Sequence, residues 1–214
     1  MSVSAEPIRD DLVEEVVPLR GRDLCLLRPR DSEALLDEEA FEHEEFLPYW
    51  AELWPSSLAL ARAIAGRALR GARTLELGCG LGLPSIAAAL AGGRVLATDW
   101  SEEAVAMTAV NAERNGADLE TLVCSWTEPE PLLAGAPWDL VLASDVLYER
   151  RNGDLLLALL PRLTDQVWLA DPGRPPARPF LEAAAHQWEI ASTKAPELAN
   201  GAVHRLRRRQ PAAT

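Results

Sequence analysis

The chain holds a single lysine, Lys194, against twenty arginines, a skew that reads as coding bias rather than function. Positive charge is scarce overall: the formal net charge is −12. So acidic a chain lacks the cationic surface that displaces counterions from a phosphate backbone, so nucleic acid is not an expected partner. A small molecule or a basic protein suits it better. Cysteines are few. Cys25, Cys79 and Cys124 are far apart and odd in number, and form neither a zinc pattern nor a disulfide framework. A reducing, cytoplasmic setting is the simplest expectation. No apolar run approaches the length that crosses a bilayer, so no membrane is expected. The opening MSVSAEPIRDDLVEE is acidic and has no apolar h-region, so it does not read as a secretory leader. His43, His186 and His204 are scattered without ligand spacing, and no metal is expected. The one basic cluster, RLRRR near the C-terminus, reads as an edge strand running into a solvated tail.

What is present is a regular alternation. A length of 214 residues suits one well-buried core. Strands are expected at 73–79, 94–99, 119–125, 139–145 and 166–171. Helices are expected at 83–91, 101–116, 152–163 (broken near its end by Pro161) and 180–188, with the proline-rich TEPEPLLAGAP as a loop. Two weaker strands near EIASTKA and AVHRLRRR have no helix between them and suggest an antiparallel edge pair. The pattern predicts an α/β fold: a parallel sheet with helices on both faces and ligands at the carboxyl ends of the strands.

The first part of the chain differs. EEVVPLRGRDLCLLRP reads as a hairpin around Arg20-Gly21-Arg22. The acidic DEEAFEHEE (37–45) reads as a solvated face, with steering of a basic target as the alternative. LPYWAELWPSSLALARAIAG is an aromatic entry into a helix. The expected organisation is one domain over 1–214, with a hairpin and acidic extension at 1–47 and a core at 48–214.

The stretch TLELGCGLGLPSIAAAL (74–90) carries the chemistry. Gly78, Gly80 and Gly82 follow a strand, and Pro84 fits the first turn of the next helix. There is no Gly-Lys-Ser/Thr, so this is not a phosphate loop of that kind. The dinucleotide spacing G-x-G-x-x-G fails at its last position, which is Leu83. Glu76 stands two residues before the turn, where a carboxylate disfavours a pyrophosphate and favours a cation. Asp99 ends the next strand, placed to accept both hydroxyls of a ribose; the neighbouring helix is better capped by Ser101. Trp126 follows the third strand, where an indole either walls a flat ring or fills the sheet top. Trp100 is a second candidate for that wall. Asp145 ends the fourth strand in ASDVLYER, and with Tyr148 sits where no helix is expected until after Gly153.

E-x-G-x-G-x-G closing a first strand resembles the Rossmann-like methyltransferases, which bind S-adenosylmethionine. Asp145-Val146-Leu147-Tyr148 matches the D/E-x-x-Y/F motif of the family-16 seven-strand methyltransferases, many of which modify protein lysines. Trp54 in AELWPSSLALA matches the tryptophan before that family's first core helix. PYWAELWPSSLAL and ADPGRP resemble the branch that methylates lysines of the electron transfer flavoprotein β-subunit. The resemblance runs from about Phe46 to Phe180. It implies a seven-strand Rossmann-like sheet and a protein substrate with an accessible lysine. It places Trp54, Glu76, Gly78, Gly80, Gly82, Asp99 and Trp126 on the cofactor side, and Asp145 with Tyr148 at the acceptor; Trp100 and Ser144 are further candidates for the cofactor side. The Asn/Asp-Pro-Pro-Tyr motif of adenine and glutamine methylation is absent; Ser144-Asp145-Val146-Leu147 stands there. A small-molecule amine as acceptor, and a cofactor-binding protein without catalysis, remain the alternatives.

Overall fold

The computed structural model describes residues 11–32 and 49–210. The acidic stretch 37–45, with His43, lies outside the described residues. Strands β1 (Leu12–Leu19) and β2 (Arg22–Pro29) form an antiparallel hairpin with Leu19 opposite Arg22. A 3-10 turn at Tyr49–Ala51 leads to helix α1 (Pro55–Ala65). The alternating part follows as β3 (Arg73–Leu77), α2 (Leu83–Leu90), β4 (Arg94–Asp99), α3 (Glu102–Arg114), β5 (Glu120–Val123), α4 (Glu130–Ala134), β6 (Leu140–Ser144), α5 (Arg150–Leu163), β7 (Gln166–Asp171) and α6 (Ala177–Ala184). Strands β8 (Trp188–Thr193) and β9 (Ala202–Arg208) close the order.

The larger sheet has seven strands in the order β5-β4-β3-β6-β7-β9-β8. The first five run parallel; β9 is antiparallel to both neighbours. The chain therefore steps outward from β3 in one direction, then returns and steps outward in the other. That reversal opens a crevice between β3 and β6 at the carboxyl ends, the place where such sheets bind ligands.

Strand period decides what each face buries. Leu75, Leu77, Val141, Ala143, Val167 and Leu169 pack under Leu156, Leu159, Leu160 and Leu163 of α5 and Phe180 of α6. Leu140, Leu142 and Val95 point the other way, onto Leu60, Ala61 and Ile64 of α1 and Ile86 of α2. Glu76 pairs in register with Leu142, so its side chain is sent to the α1/α2 face. The hairpin shares this second core through Val17, Leu24 and Leu26. Its backbone is clamped by α3. Asn111 accepts from Leu27 N at 2.7 Å and donates to Leu27 O at 3.0 Å; Asn115 does the same for Cys25 at 2.9 Å each. Two side-chain amides, the buried Asn111 and the half-buried Asn115, thus complete the hydrogen bonds of a strand that has no sheet neighbour on that side among the described residues.

Several local expectations change. The proline-rich loop contains α4, since Pro131 lies in its first turn and Leu132 is buried. Helix α5 begins at Arg150, before Gly153. Asn152 donates to Val146 O at 3.1 Å and Gly153 packs against Phe180, so the polar and glycine residues there are packed helix rather than loop. Pro161 sits inside the last turn of α5 and does not break it. Trp188 leaves the expected helix and starts β8, buried against the core.

Candidate active site

The turn after β3 is built by backbone. Gly78, Gly80 and Gly82 all take positive φ, at 73°, 53° and 83°. Gly78 N and Cys79 N both donate to Thr98 O at 2.9 Å, stitching the turn to β4. Gly80 N donates to Asp99 Oδ2 at 3.0 Å, and Gly82 N to Cys79 O at 2.8 Å. These amides are used inside the protein rather than presented to a ligand. What the glycines supply is clearance. A Cβ on Gly78 would lie 3.2 Å from Val146 Cγ1 and 3.7 Å from Trp126, and one on Gly80 would lie 3.3 Å from the Trp50 carbonyl.

Above that turn lies a cavity of about 440 Å³, within the range of small-molecule sites. Trp54, Gly78, Gly80, Asp99, Trp100, Trp126, Ser144, Asp145 and Tyr148 line it together, although they come from five separate stretches of chain. Glu76 and Gly82 lie outside the wall. Gly82 caps α2, and a Cβ there would meet Thr108 at 2.8 Å. Glu76 is fully buried on the α2 face, where the hydroxyl and the backbone N–H of Ser85 hydrogen-bond its carboxyl. Its second oxygen, Oε1, has no hydrogen-bond partner among the described residues. Burial pushes its pKa up to about 8, so the free protein favours the neutral acid at neutral pH.

Asp99 forms one end of the cavity. Its Oδ1 accepts from Ser101 N at 3.1 Å, its Oδ2 from Gly80 N, and each oxygen keeps a lone pair for a further donor. Burial raises its pKa, and the amides of Gly80, Ser101 and Trp100 oppose that rise. Ser101 is the N-cap of α3, accepting from Ala104 N at 3.2 Å, which leaves Asp99 for the cavity. Trp126 and the half-exposed Trp100 provide flat apolar walls beside it. Paired acceptors, indole walls and a side-chain-free turn fit a ligand with vicinal hydroxyls and a planar base.

The opposite end is made of side chains. Asp145 is 7% exposed and holds a left-handed φ of 57°, a conformation Asp tolerates better than most residues. Its Oδ2 accepts from Ser56 Oγ of α1 at 3.1 Å. Its Oδ1 is ion-paired with Arg174 Nε at 2.5 Å. The Arg174 guanidinium also lies over the Trp54 ring, 5.6 Å from its centroid. Trp54 Nε1 donates to Tyr49 O at 2.7 Å, and the Tyr49 ring stands 5.3 Å from that of Tyr148. Burial raises the Tyr148 hydroxyl, so it stays protonated and can donate.

Sequence reasoning did not name Ser56, Tyr49 or Arg174. The only signals were their motifs: Ser56 and Tyr49 fall in PYWAELWPSSLAL, and Arg174 in ADPGRP. Among the described residues no group of His, Cys, Asp and Glu is arranged to hold a metal ion.

The lysine methyltransferase family matches residues 47–168. The zebrafish (Danio rerio) electron transfer flavoprotein β-subunit lysine methyltransferase is 36% identical over 137 residues, 59% of this chain and 51% of that protein. The human histone-arginine methyltransferase METTL23 is 30% identical over 155 residues, 67% of this chain and 81% of that one. Among solved structures, the ribosomal protein L11 methylase of Lactobacillus delbrueckii subsp. bulgaricus superposes with a TM-score of 0.57. It is 24% identical and covers 72% of this chain and 79% of its own, which speaks for the fold. The chain spans about half the length of the first of these relatives. The match takes in Trp54, the glycine turn, Asp99, Trp126, Asp145 and Tyr148. The chain belongs to the lysine methyltransferase family, a family of S-adenosylmethionine-dependent methyltransferases.

Proposed function

We propose that this chain transfers a methyl group from S-adenosylmethionine to the side-chain amine of a protein lysine. The observation that carries the reading is one cavity with two unlike ends: a glycine turn with Asp99 and Trp126 at one, and Asp145 with Tyr148 at the other. When bound, S-adenosylmethionine supplies a methyl on a cationic sulfur; an N–C bond forms as the C–S bond breaks and a neutral thioether leaves. Asp99 accepts the ribose hydroxyls, Trp126 flanks the adenine, and Trp54 and Ser144 border the path between the two ends. Asp145 draws in and orients the acceptor, and Tyr148 donates to it or walls its channel. A free lysine amine has a pKa of about 10.4, so its proton must leave, to water, before attack. Alignment and exclusion of water then provide most of the acceleration.

The relatives named for the electron transfer flavoprotein β-subunit favour a protein acceptor, and the acid-rich surface favours a basic one. Among the described residues no helix is long and apolar enough to cross a membrane, and Cys25, Cys79 and Cys124 are all unpaired. The unpaired thiols suit a reducing compartment, and the cytoplasm is the location proposed. The test is incubation of the purified chain with methyl-labelled donor, recombinant electron transfer flavoprotein β-subunit and a cell extract. Label on a protein lysine is the expected result. Label confined to small molecules, or to arginine, would overturn the acceptor.

A further inference from the structure

The carboxylate assigned to receive a cationic amine is already paired with a cation. Asp145 is buried, and Arg174 is bonded to its Oδ1. The arrangement is fixed rather than incidental. Asp171, at the end of β7, accepts from the backbone N–H of Gly173 at 2.7 Å and of Arg174 at 2.8 Å. Gly173 has a φ of 93°, and a Cβ there would stand 2.8 Å from Asn200 O, so this turn admits only glycine. The guanidinium is held a third time by the face of Trp54. Three separate devices thus present Arg174 to Asp145.

A lone buried carboxylate would be a poor acceptor site for this chemistry. It would bind lysine tightly but as the ammonium, which has no lone pair to attack with. A positive charge within about 4–6 Å disfavours the protonated form of a neighbouring amine. We propose that Arg174 is a positioning residue that makes Asp145 half of a neutral ion pair, so that the acceptor lysine is oriented there but received as the free amine. The proposal rests on the lysine-transfer reading and assigns that site its charge balance. The amine gives up its proton to water; Asp145, ion-paired with Arg174, orients it and is not the base. Ser56 Oγ on the other carboxylate oxygen fixes the plane of the group, leaving the remaining lone pairs for the amine hydrogens.

Other charged and titratable groups face the pair. Asp171 comes from β7, Glu52 and Tyr49 from the segment before α1, Tyr148 from the loop before α5, Arg151 from the first turn of α5, and Asp99 from β4. All of them are unchanged by substitutions at Arg174, so a difference between variants reads the guanidinium itself.

The experiment compares wild type with Arg174→Gln and Arg174→Lys across pH 6.5–10. Its acceptor is recombinant electron transfer flavoprotein β-subunit or, if that is not labelled, the most strongly lysine-labelled protein of the extract. Gln keeps a planar donor towards Asp145 and removes the charge; Lys keeps the charge. In Arg174→Gln the KM for the protein should fall several-fold, and kcat at pH 7.5 should fall about tenfold. The acid limb of the kcat profile should move up by about one pH unit, and the rate should recover towards pH 10. Arg174→Lys should keep the wild-type limb. S-adenosylhomocysteine affinity by calorimetry should stay within about threefold in both, showing an intact cofactor end. A kcat lowered equally at every pH in Arg174→Gln would mean a purely structural role and overturn the proposal. If Arg174→Gln loses S-adenosylhomocysteine binding, Arg174→Lys alone decides, and a displaced limb there overturns it. Wild-type protein that labels no lysine at any pH would overturn the lysine reading and this proposal with it. Lysine transfer with coincident pH limbs would overturn the proposal alone.

Discussion

The two ends of the cavity are built by different means. At the cofactor end the turn, its cap and Asp99 lie within 26 residues, from Glu76 to Ser101, and the backbone does most of the positioning. At the acceptor end Ser56 comes from α1, Asp145 from the loop after β6 and Arg174 from the turn after β7. Ser56 and Asp145 are 89 residues apart in sequence, Asp145 and Arg174 29, and they meet through side chains. A local, backbone-built site leaves a spaced motif in the sequence. A site assembled by tertiary contact leaves single residues whose partners cannot be inferred from spacing.

The sharpest way to break this comparison is Asp145→Asn, because Asn also tolerates the left-handed backbone and isolates the loss of charge. Methyl transfer should fall at least about a hundredfold. S-adenosylhomocysteine affinity, read by calorimetry, should stay within about threefold. Near-normal turnover in that variant would show that the acceptor lies elsewhere. Asp99→Ala is the mirror image. Loss of its bonds to two hydroxyls should weaken cofactor affinity by roughly ten- to a hundredfold, with turnover largely recovered at saturating donor. Unchanged affinity would remove Asp99 from the site.

Gly82→Ala tests whether the turn is a backbone device. Left-handed φ alone costs about 1–3 kcal/mol for a residue with a Cβ, and the contact with Thr108 adds to it. Denaturant unfolding should show that loss, and Thr108→Ala in the same chain should recover part of it. An additive double variant would mean that Thr108 is not the obstacle. A smaller effect concerns Glu76. Its folded pKa of about 8 lies above the ordinary carboxylate value of 4.5. Between those values the folded state holds a proton that the unfolded chain has released, so this group makes stability fall as pH rises from about 4.5 to 8, then level off. Glu76→Gln should flatten that slope relative to wild type in ligand-free protein. Parallel pH curves would show that Glu76 is ionised throughout. The smallest change expected is Ser101→Ala, about 1 kcal/mol from the lost cap of α3, without an effect on the acceptor end.

The parallel strands were legible because buried β3, β4, β6 and β7 are short apolar runs punctuated by glycine or aspartate. The edges of helices were less so. Asn152 and Gly153 look like loop until the packing against Val146 and Phe180 is known. Helix α4 hides among prolines because one turn held by Leu132 has too little periodicity to read. Glu76 was placed beside the ligand by its motif. The strand register instead turns it to the α2 face, a matter of which neighbour it pairs with, and that is not written in local spacing.

The position of β9 between β7 and β8 bears on how the molecule assembles. Strand β8 precedes β9 in the chain yet has no hydrogen-bonded neighbour in the sheet until β9 has docked on β7. Until then β7 is an open edge carrying Val167, Leu169 and unpaired backbone groups, a surface prone to pairing with other chains. The β8/β9 hairpin thus covers the apolar β7 and leaves β8 at the rim of the sheet, where four of its six residues, Glu189, Ala191, Ser192 and Thr193, are exposed.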